Sequence, residues 1–322
     1  MNVREILELR ARLRRDLRGL FDGRGFLEVD TPVLAAEILP EAHIDPLVVP
    51  DPLVMTDGLV GRCRYLQASP ELFMKRLLAA GAGPIYQFAR CFRAGEIGRQ
   101  HDEEFVLLEW YAPGTTLADT AALLERLCAD TLDTQGIDRT TCTEAFVAHA
   151  GVDPLTASLA DLEAAVAQHV PAAPAFAGSA PAERHDRAFE LLLAEVVQPR
   201  LGYDRPVMLE RWPVAQAAFA RVDPQDPRAA LRFELFVAGV ELANGWEEET
   251  SRDVLVERIE AANRVRQADG RRVLPVPEAL LTAHGPGMPA GVGVALGFDR
   301  LAMLAAGADT LAAIRCFGSG TG

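Results

Sequence analysis

Between residues 4 and 21, Leu9, Leu13, Leu17 and Phe21 recur at four-residue steps among arginines and acids, and Gly23 follows. That period predicts an amphipathic helix with one buried face, and the glycine is its stop. Phe26-Leu27-Glu28-Val29 reads as a short strand that ends at Asp30-Thr31-Pro32. From His43 to Leu66 apolar residues alternate around the turn signals Asp51-Pro52 and Asp57-Gly58, which predicts short antiparallel strands. A helix fits 71–80. Two apolar runs, about 85–92 and 104–111, read as the arms of a hairpin. Thr116 with Asp119 makes a capping box for a helix through Leu132.

Between about 135 and 205 alanine and proline dominate, as in VPAAPAFAGSAPAE, and short helices fit 158–168 and 186–197. This stretch reads as a helical insertion with a mobile loop near 171–182. Strands resume with Val207 to Trp212, then Leu231 to Val237 and Val240 to Ala243 around a turn at Ala238-Gly239. GVGVALG (291–297) is a glycine-punctuated apolar strand that enters a helix at Phe298. Consecutive strands with helices kept to the ends and inserts predict an α+β fold built on an antiparallel sheet flanked by helices.

At 322 residues the chain is long for one ordinary core, which suits one large domain with an insertion or one domain plus a subdomain. No run approaches the ~20 apolar residues of a membrane span, and the amino terminus has no export signal. Five scattered cysteines, with no CxxC pair or metal spacing, fit reduced thiols in a cytoplasmic protein. The net charge of −14 argues against broad nucleic-acid binding, since phosphate neutralisation supplies most of that affinity. It suits plain solubility as well.

Three stretches carry candidate chemistry. In FRAGEIGRQHDEEF, charged residues fill the hairpin connection, and Arg93 at the strand's end is the candidate phosphate contact, because a guanidinium stays charged and offers a planar fork. A solvated hairpin tip is the competing reading. In RFELFVAGVELANGWEEE, a tight turn at Ala238-Gly239 would make Glu234 and Glu241 cross-strand neighbours. Two such carboxylates repel unless a cation joins them, and Mg²⁺ is the ion that prefers oxygen ligands and bridges carboxylates to nucleotide phosphates. Outward-facing acids on an edge strand would give the same letters. In GVGVALGFDRLAML, Gly291, Gly293 and Gly297 permit close backbone approach, and Arg300 lies in the first turn of a helix, a ready anion site.

Together and in this order these stretches resemble the three signature motifs of class II aminoacyl-tRNA synthetases, most closely the lysyl-tRNA synthetase branch. FLEVDTPVL (26–34) resembles the first, dimer-forming motif, with Pro32 as its terminal proline. FRAGEIGRQHDEEFVLLEWY resembles the second and GVALGFDRLAML the third, while ASPELFMKRLLAAG (68–81) and GVELANGWEE (239–248) resemble lysine-pocket segments. The resemblance runs from about 5 to 315. The first catalytic helix begins almost at Met1, so no anticodon-binding domain is expected, and residues 1–322 read as one catalytic domain with the 135–205 insertion. That architecture resembles the elongation factor P lysyltransferase family, which adenylates a β-lysine and passes it to a lysine side chain of elongation factor P. Ala295 suits that family, because lysyl-tRNA synthetases generally have glycine there.

The resemblance implies ATP and Mg²⁺ as cofactors, elongation factor P as protein substrate, lysine or β-lysine as the activated acid, a homodimer, and neither tRNA nor membrane as partner. Arg93 and Arg300 would be catalytic. Arg93, Glu96, His101, Asp102, Phe105, Glu241, Gly297 and Arg300 would bind ATP, with Phe105 stacked on adenine and Arg300 on its other face or near the γ-phosphate. Glu234 and Glu241 would hold the metal. Ser69, Glu71, Glu109, Tyr111, Asn244, Glu248 and Ala295 would line the amino-acid pocket. There is a departure at Gly95, where the family has an acid expected to meet the adenine amino group; Glu96, one position on, is the candidate substitute. Asp102 stands where the family has an amide and brings an anion beside ATP. Three alternatives stay open: a synthetase-like enzyme with another acceptor, a truncated asparagine synthetase of archaeal type, and a non-catalytic regulatory paralogue.

Overall fold

The computed structural model describes residues 1–50, 63–173, 181–285 and 287–318. In chain order the elements are α1 (Val3–Asp22), β1 (Leu27–Glu28), β2 (Leu34–Ala35), β3 (Val48–Pro50), β4 (Cys63–Leu66), α2 (Glu71–Ala79), β5 (Ile85–Phe92), β6 (Glu104–Pro113), α3 (Leu117–Leu132) and β7 (Asp138–Thr141). Then come α4 (Cys142–Ala150), α5 (Leu159–His169), α6 (Pro181–Leu192), β8 (Val207–Pro213), β9 (Val222–Asp223), β10 (Asp226–Val237), β11 (Val240–Glu247), α7 (Arg252–Ala268), α8 (Glu278–Ala283), β12 (Gly291–Gly297) and α9 (Phe298–Ala305). The turn signals at Asp51-Pro52 and Asp57-Gly58 and most of the loop expected near 171–182 lie outside the described residues. The chain forms two compact units, one of Met1–Thr115 with Glu249–Gly322 and one of Thr116–Glu248.

In the first unit β1 pairs parallel with β5, and β5, β6 and β12 continue antiparallel. Successive side chains alternate between faces of a sheet, so one face carries the even residues and the other the odd ones. On the even face Phe21 of α1 stacks on Tyr86 at 4.9 Å and meets Trp110 at 5.1 Å, while Phe88 meets Phe298 of α9 edge-on at 5.6 Å. The leucine stripe read from the sequence is the reason: Ile6, Leu9, Leu13, Leu17, Leu20 and Phe21 of α1 are buried, and Asn2 caps the helix in a box with Glu5. On the odd face Met74 and Leu78 of α2 pack on Ile85 and Tyr111. The rest of that face carries Gln87, Phe105, Leu107, Glu109 and small residues. A Cβ on Gly291 would fall 2.4 Å from Ala112 O, so the approach of β12 to β6 there admits only glycine. A second sheet, β2-β4-β3, is antiparallel. Leu27, Val33 and Leu34, in the stretch resembling the dimer-forming motif, remain exposed at 59%, 38% and 38%.

In the second unit β11, β10 and β8 are antiparallel neighbours, β9 pairs with β10, and β7 joins β8 in parallel. The two parallel pairs, β1 with β5 and β7 with β8, qualify the antiparallel expectation: their partners are reached by long connections, not hairpins. The alanine-rich segment folds as α4, α5 and α6 and builds a core with the strands beside it. Phe146 stacks on Phe189 at 4.9 Å, Phe189 meets Trp212 at 5.8 Å, and Leu209 and Phe236 close the cluster. Capping boxes start α3, α4 and α5, at Thr116, Thr141 and Ser158. No described helix is long and apolar enough to cross a membrane.

Candidate active site

The odd face of the first unit gathers the amino-acid residues. Glu109, central on β6, is opposite Gln87 on β5 and Ala295 on β12. Its carboxylate is buried, and accepts hydrogen bonds from Ser69 Oγ at 2.6 Å and Tyr111 OH at 2.8 Å. Burial and the neighbouring Glu71 push this carboxyl up to about 8, against the opposing pull of Ser69, Tyr111 and Lys75. Glu71, in the first turn of α2, contacts Lys75 Nζ at 2.5 Å across one helical turn, and both are buried. Lys75 is absent from the sequence-based site; its spacing four residues after Glu71 was the available signal. Ser69, Glu71, Glu109, Tyr111 and Ala295 are therefore brought together. The Ala295 methyl packs with Ala89, Cys91, Leu107 and Phe105 on the floor beside Glu109.

At the other end of the same face lies the hairpin connection. Arg93 places its guanidinium carbon 5.0 Å from the Phe105 ring centroid, and Glu96 is 3.7 Å away. Arg93 Nε is buried without a hydrogen-bond partner among the described residues, so an N–H donor stands unsatisfied beside an aromatic face. Gly95 has φ +78°, a left-handed turn that suits glycine, and its N–H donates to Glu103 Oε1 at 2.7 Å. The departure from the family pattern at Gly95 is thus a turn closed by Glu103, and Glu96 faces Arg93.

Arg300, in the first turn of α9, meets His101 Nε2 through Nη2 at 2.7 Å, so here it sits against His101 while Arg93 covers Phe105. Gly297 precedes α9, and a Cβ there would meet only the Arg300 stem at 3.5 Å, an ordinary contact. Close approach on β12 is required at Gly291 and not at Gly297. Asp102 is not an isolated anion: Arg315 Nη1 donates to its Oδ2 at 2.6 Å. Arg315 Nη2 also donates to buried Asp299 at 2.5 Å, which accepts from the Val106 amide at 2.9 Å and contacts Arg10 at 2.7 Å. Burial alone would raise the Asp299 carboxyl, but Arg315, Arg10 and the Val106 amide outweigh it and hold it below the usual range.

In the second unit the strand register corrects one expectation. Glu234 pairs with Asn244, and Glu241 with Phe236: the two-residue turn sets Val237 opposite Val240 and Phe236 opposite Glu241, and a bulge between Leu235 and Phe236 moves the partner of Glu234 on to Asn244. The two carboxylates are diagonal, two residues apart along β10, and not directly opposed. Arg232 Nη2 donates to Glu234 at 2.7 Å, and its Nε to Asn244 Oδ1 at 3.3 Å, with the guanidinium 4.2 Å from the Trp212 ring centroid. Arg232, absent from the sequence-based site, orients both. Glu248 is buried just past β11, bridged to Ala220. Two carboxylates on adjoining strands are an oxygen donor set that fits Mg²⁺. Among the described residues no group of three or more His, Cys, Asp or Glu could hold a metal ion by itself.

A family model described as tRNA synthetases class II (D, K and N) matches residues 1–321. A protein of Edwardsiella ictaluri named elongation factor P–(R)-β-lysine ligase is 39% identical over 309 residues, 96% of this chain and 93% of that protein. Proteins of the same name from Salmonella gallinarum, at 38% over 309 residues, and Sodalis glossinidius, at 39% over 311, cover the same shares.

Proposed function

This chain belongs to the class II tRNA synthetase family (D, K and N), and we propose that within it the protein is an ATP-dependent ligase that adenylates (R)-β-lysine and transfers it to a lysine side chain of elongation factor P. The observation that carries this reading is the buried Glu109 carboxylate, braced by Ser69 and Tyr111 and set beside the Glu71–Lys75 pair. Burying acids in this way is costly unless cations meet them. A diamino acid brings two ammonium groups, for which Glu71, Glu109 and the Tyr111 hydroxyl are suitable partners. The Ala295 methyl, opposite Glu109, trims the floor and sets which lysine isomer fits.

In the first step an oxygen of the amino-acid carboxylate attacks the α-phosphorus of ATP. The bond from that phosphorus to the bridging oxygen breaks, and pyrophosphate leaves. Charge on the α-phosphate oxygens is met by Arg93, whose Nε–H is available. Phe105 offers its ring to adenine, with Glu96 near the base, and Arg300 with His101 meets the outer phosphates beside Gly297 and Asp102. Glu234 and Glu241 would hold Mg²⁺, which when bound supplies charge neutralisation between phosphates. In the second step the neutral ε-amine of the acceptor lysine attacks the adenylate carbonyl, an amide forms, the amine's proton is lost to solvent and AMP leaves. Catalysis is positioning and electrostatics throughout.

The net charge of −14 favours a protein acceptor with a basic loop over tRNA, whose binding depends on phosphate contacts. ATP–pyrophosphate exchange with (R)-β-lysine, (S)-β-lysine and α-lysine tests the first step. Exchange should be strongest with (R)-β-lysine. Absence of exchange with every diamino acid would remove the reading.

A further inference from the structure

We infer that Arg315, in the segment after α9, is a positioning residue for the nucleotide: it neutralises Asp102 and ties the 93–103 connection to the start of α9. This rests on the ATP reading of the preceding subsection. Two links join the same pieces of chain side by side. Asp102 reaches Asp299 through Arg315, at 2.6 and 2.5 Å, and the neighbouring residues His101 and Arg300 meet at 2.7 Å. The Asp102 and Arg315 side chains are only 13% and 12% exposed, so water screens their attraction little. Asp299 in turn accepts from the amide of Val106, the residue after Phe105. One guanidinium thus fixes where His101, Arg300 and Phe105 stand relative to each other.

Asp102 is the position at which this chain carries an acid in a connection expected to face a polyphosphate. Removing Arg315 leaves a largely buried carboxylate without this counter-ion and loosens the His101–Arg300 contact, which weakens ATP more than the amino acid. Removing the acid as well relieves the repulsion, and Asp299 keeps Arg10 and the Val106 amide in that case.

The test uses the full chain with Mg²⁺ and compares wild type, Arg315→Met and the double variant Asp102→Asn/Arg315→Met. ATP affinity is read by calorimetry, and the KM values for ATP and (R)-β-lysine by pyrophosphate exchange. Arg315→Met should weaken ATP at least tenfold and leave the amino-acid KM within twofold, and the double variant should return ATP to within threefold of wild type. Equal losses for both substrates without rescue would make Arg315 merely structural and overturn the inference. So would ATP binding indifferent to Arg315→Met, which would leave the ATP reading standing. If wild type binds no ATP, that reading and this inference fall together. Should Arg315→Met not fold, the double variant decides: folded with near-wild-type ATP affinity it supports the pairing, and unfolded or still tenfold weak it overturns it.

Discussion

Glu109 connects the fold to the chemistry most sharply, because its carboxyl is pushed up to about 8 by burial and by Glu71. At neutral pH the empty site therefore holds a proton on Glu109, and an incoming ammonium pairs with the ionised form. For a group at about 8 the ionised fraction rises from roughly 1% at pH 6 to about half at pH 8, so the KM for the amino acid should fall by roughly fiftyfold across that window. The lysine-type ammonium, at about 10.4, stays protonated throughout. Glu109→Gln keeps the shape and removes the charge, with one of the two hydroxyls, Ser69 or Tyr111, turning to accept from the amide N–H. At pH 8 it should raise the amino-acid KM by about ten- to a hundredfold, the scale of one charged hydrogen bond, and its pH profile should be flat. Pyrophosphate exchange at saturating ATP measures both. Thermal unfolding gives an independent reading. The folded pKa lies above the unfolded value of 4.5, so stability from this group is full below 4.5 and lost as pH rises through about 8. Wild type should accordingly lose stability relative to Glu109→Gln between pH 5 and 8. A wild-type KM that is flat from pH 6 to 8, or a slope that survives in Glu109→Gln, would refute the reasoning.

Arg93→Ala should reduce pyrophosphate exchange at least a hundredfold, the scale of one lost transition-state charge contact; exchange within threefold of wild type would take Arg93 out of the mechanism. Glu234→Gln and Glu241→Gln should each raise the Mg²⁺ concentration for half-maximal activity while circular dichroism stays unchanged. An unaltered Mg²⁺ dependence in both would assign the two acids to structure. The exposed Leu27, Val33 and Leu34 predict a two-fold homodimer at micromolar concentration by light scattering. A fully active monomer would contradict that.

Much of the framework was legible because its signals are local. The four-residue stripe of α1, the Thr116–Asp119 box of α3 and the hairpin of β5 and β6 each depend on residues close in sequence. What stayed hidden depends on distant partners. β7 is Asp138-Arg139-Thr140-Thr141, with no apolar pattern, and exists because β8 offers it a parallel edge. α7 buries only Leu255, Ile259 and Arg266, and its other apolar residues are valines and alanines interspersed with charges, so it carries no clear stripe. The bulge that moves the partner of Glu234 from Ala243 to Asn244 is a property of the pairing and not of either strand. Lys75, Arg232 and Arg315 are absent from the sequence-based site, and packing shows each one held by a carboxylate of the candidate site. The resemblance named candidate site residues and did not name the cations that hold them.

The central claim is that the activated lysine goes to a protein. Purified enzyme, ATP, Mg²⁺, (R)-β-lysine and elongation factor P from the same organism, followed by intact-protein mass spectrometry, measure it directly. A gain of one lysyl mass on elongation factor P is expected, dependent on ATP and lost in Arg93→Ala, with little or no charging of lysine tRNA by the same preparation. Saturable aminoacylation of tRNA with elongation factor P left unmodified would contradict it.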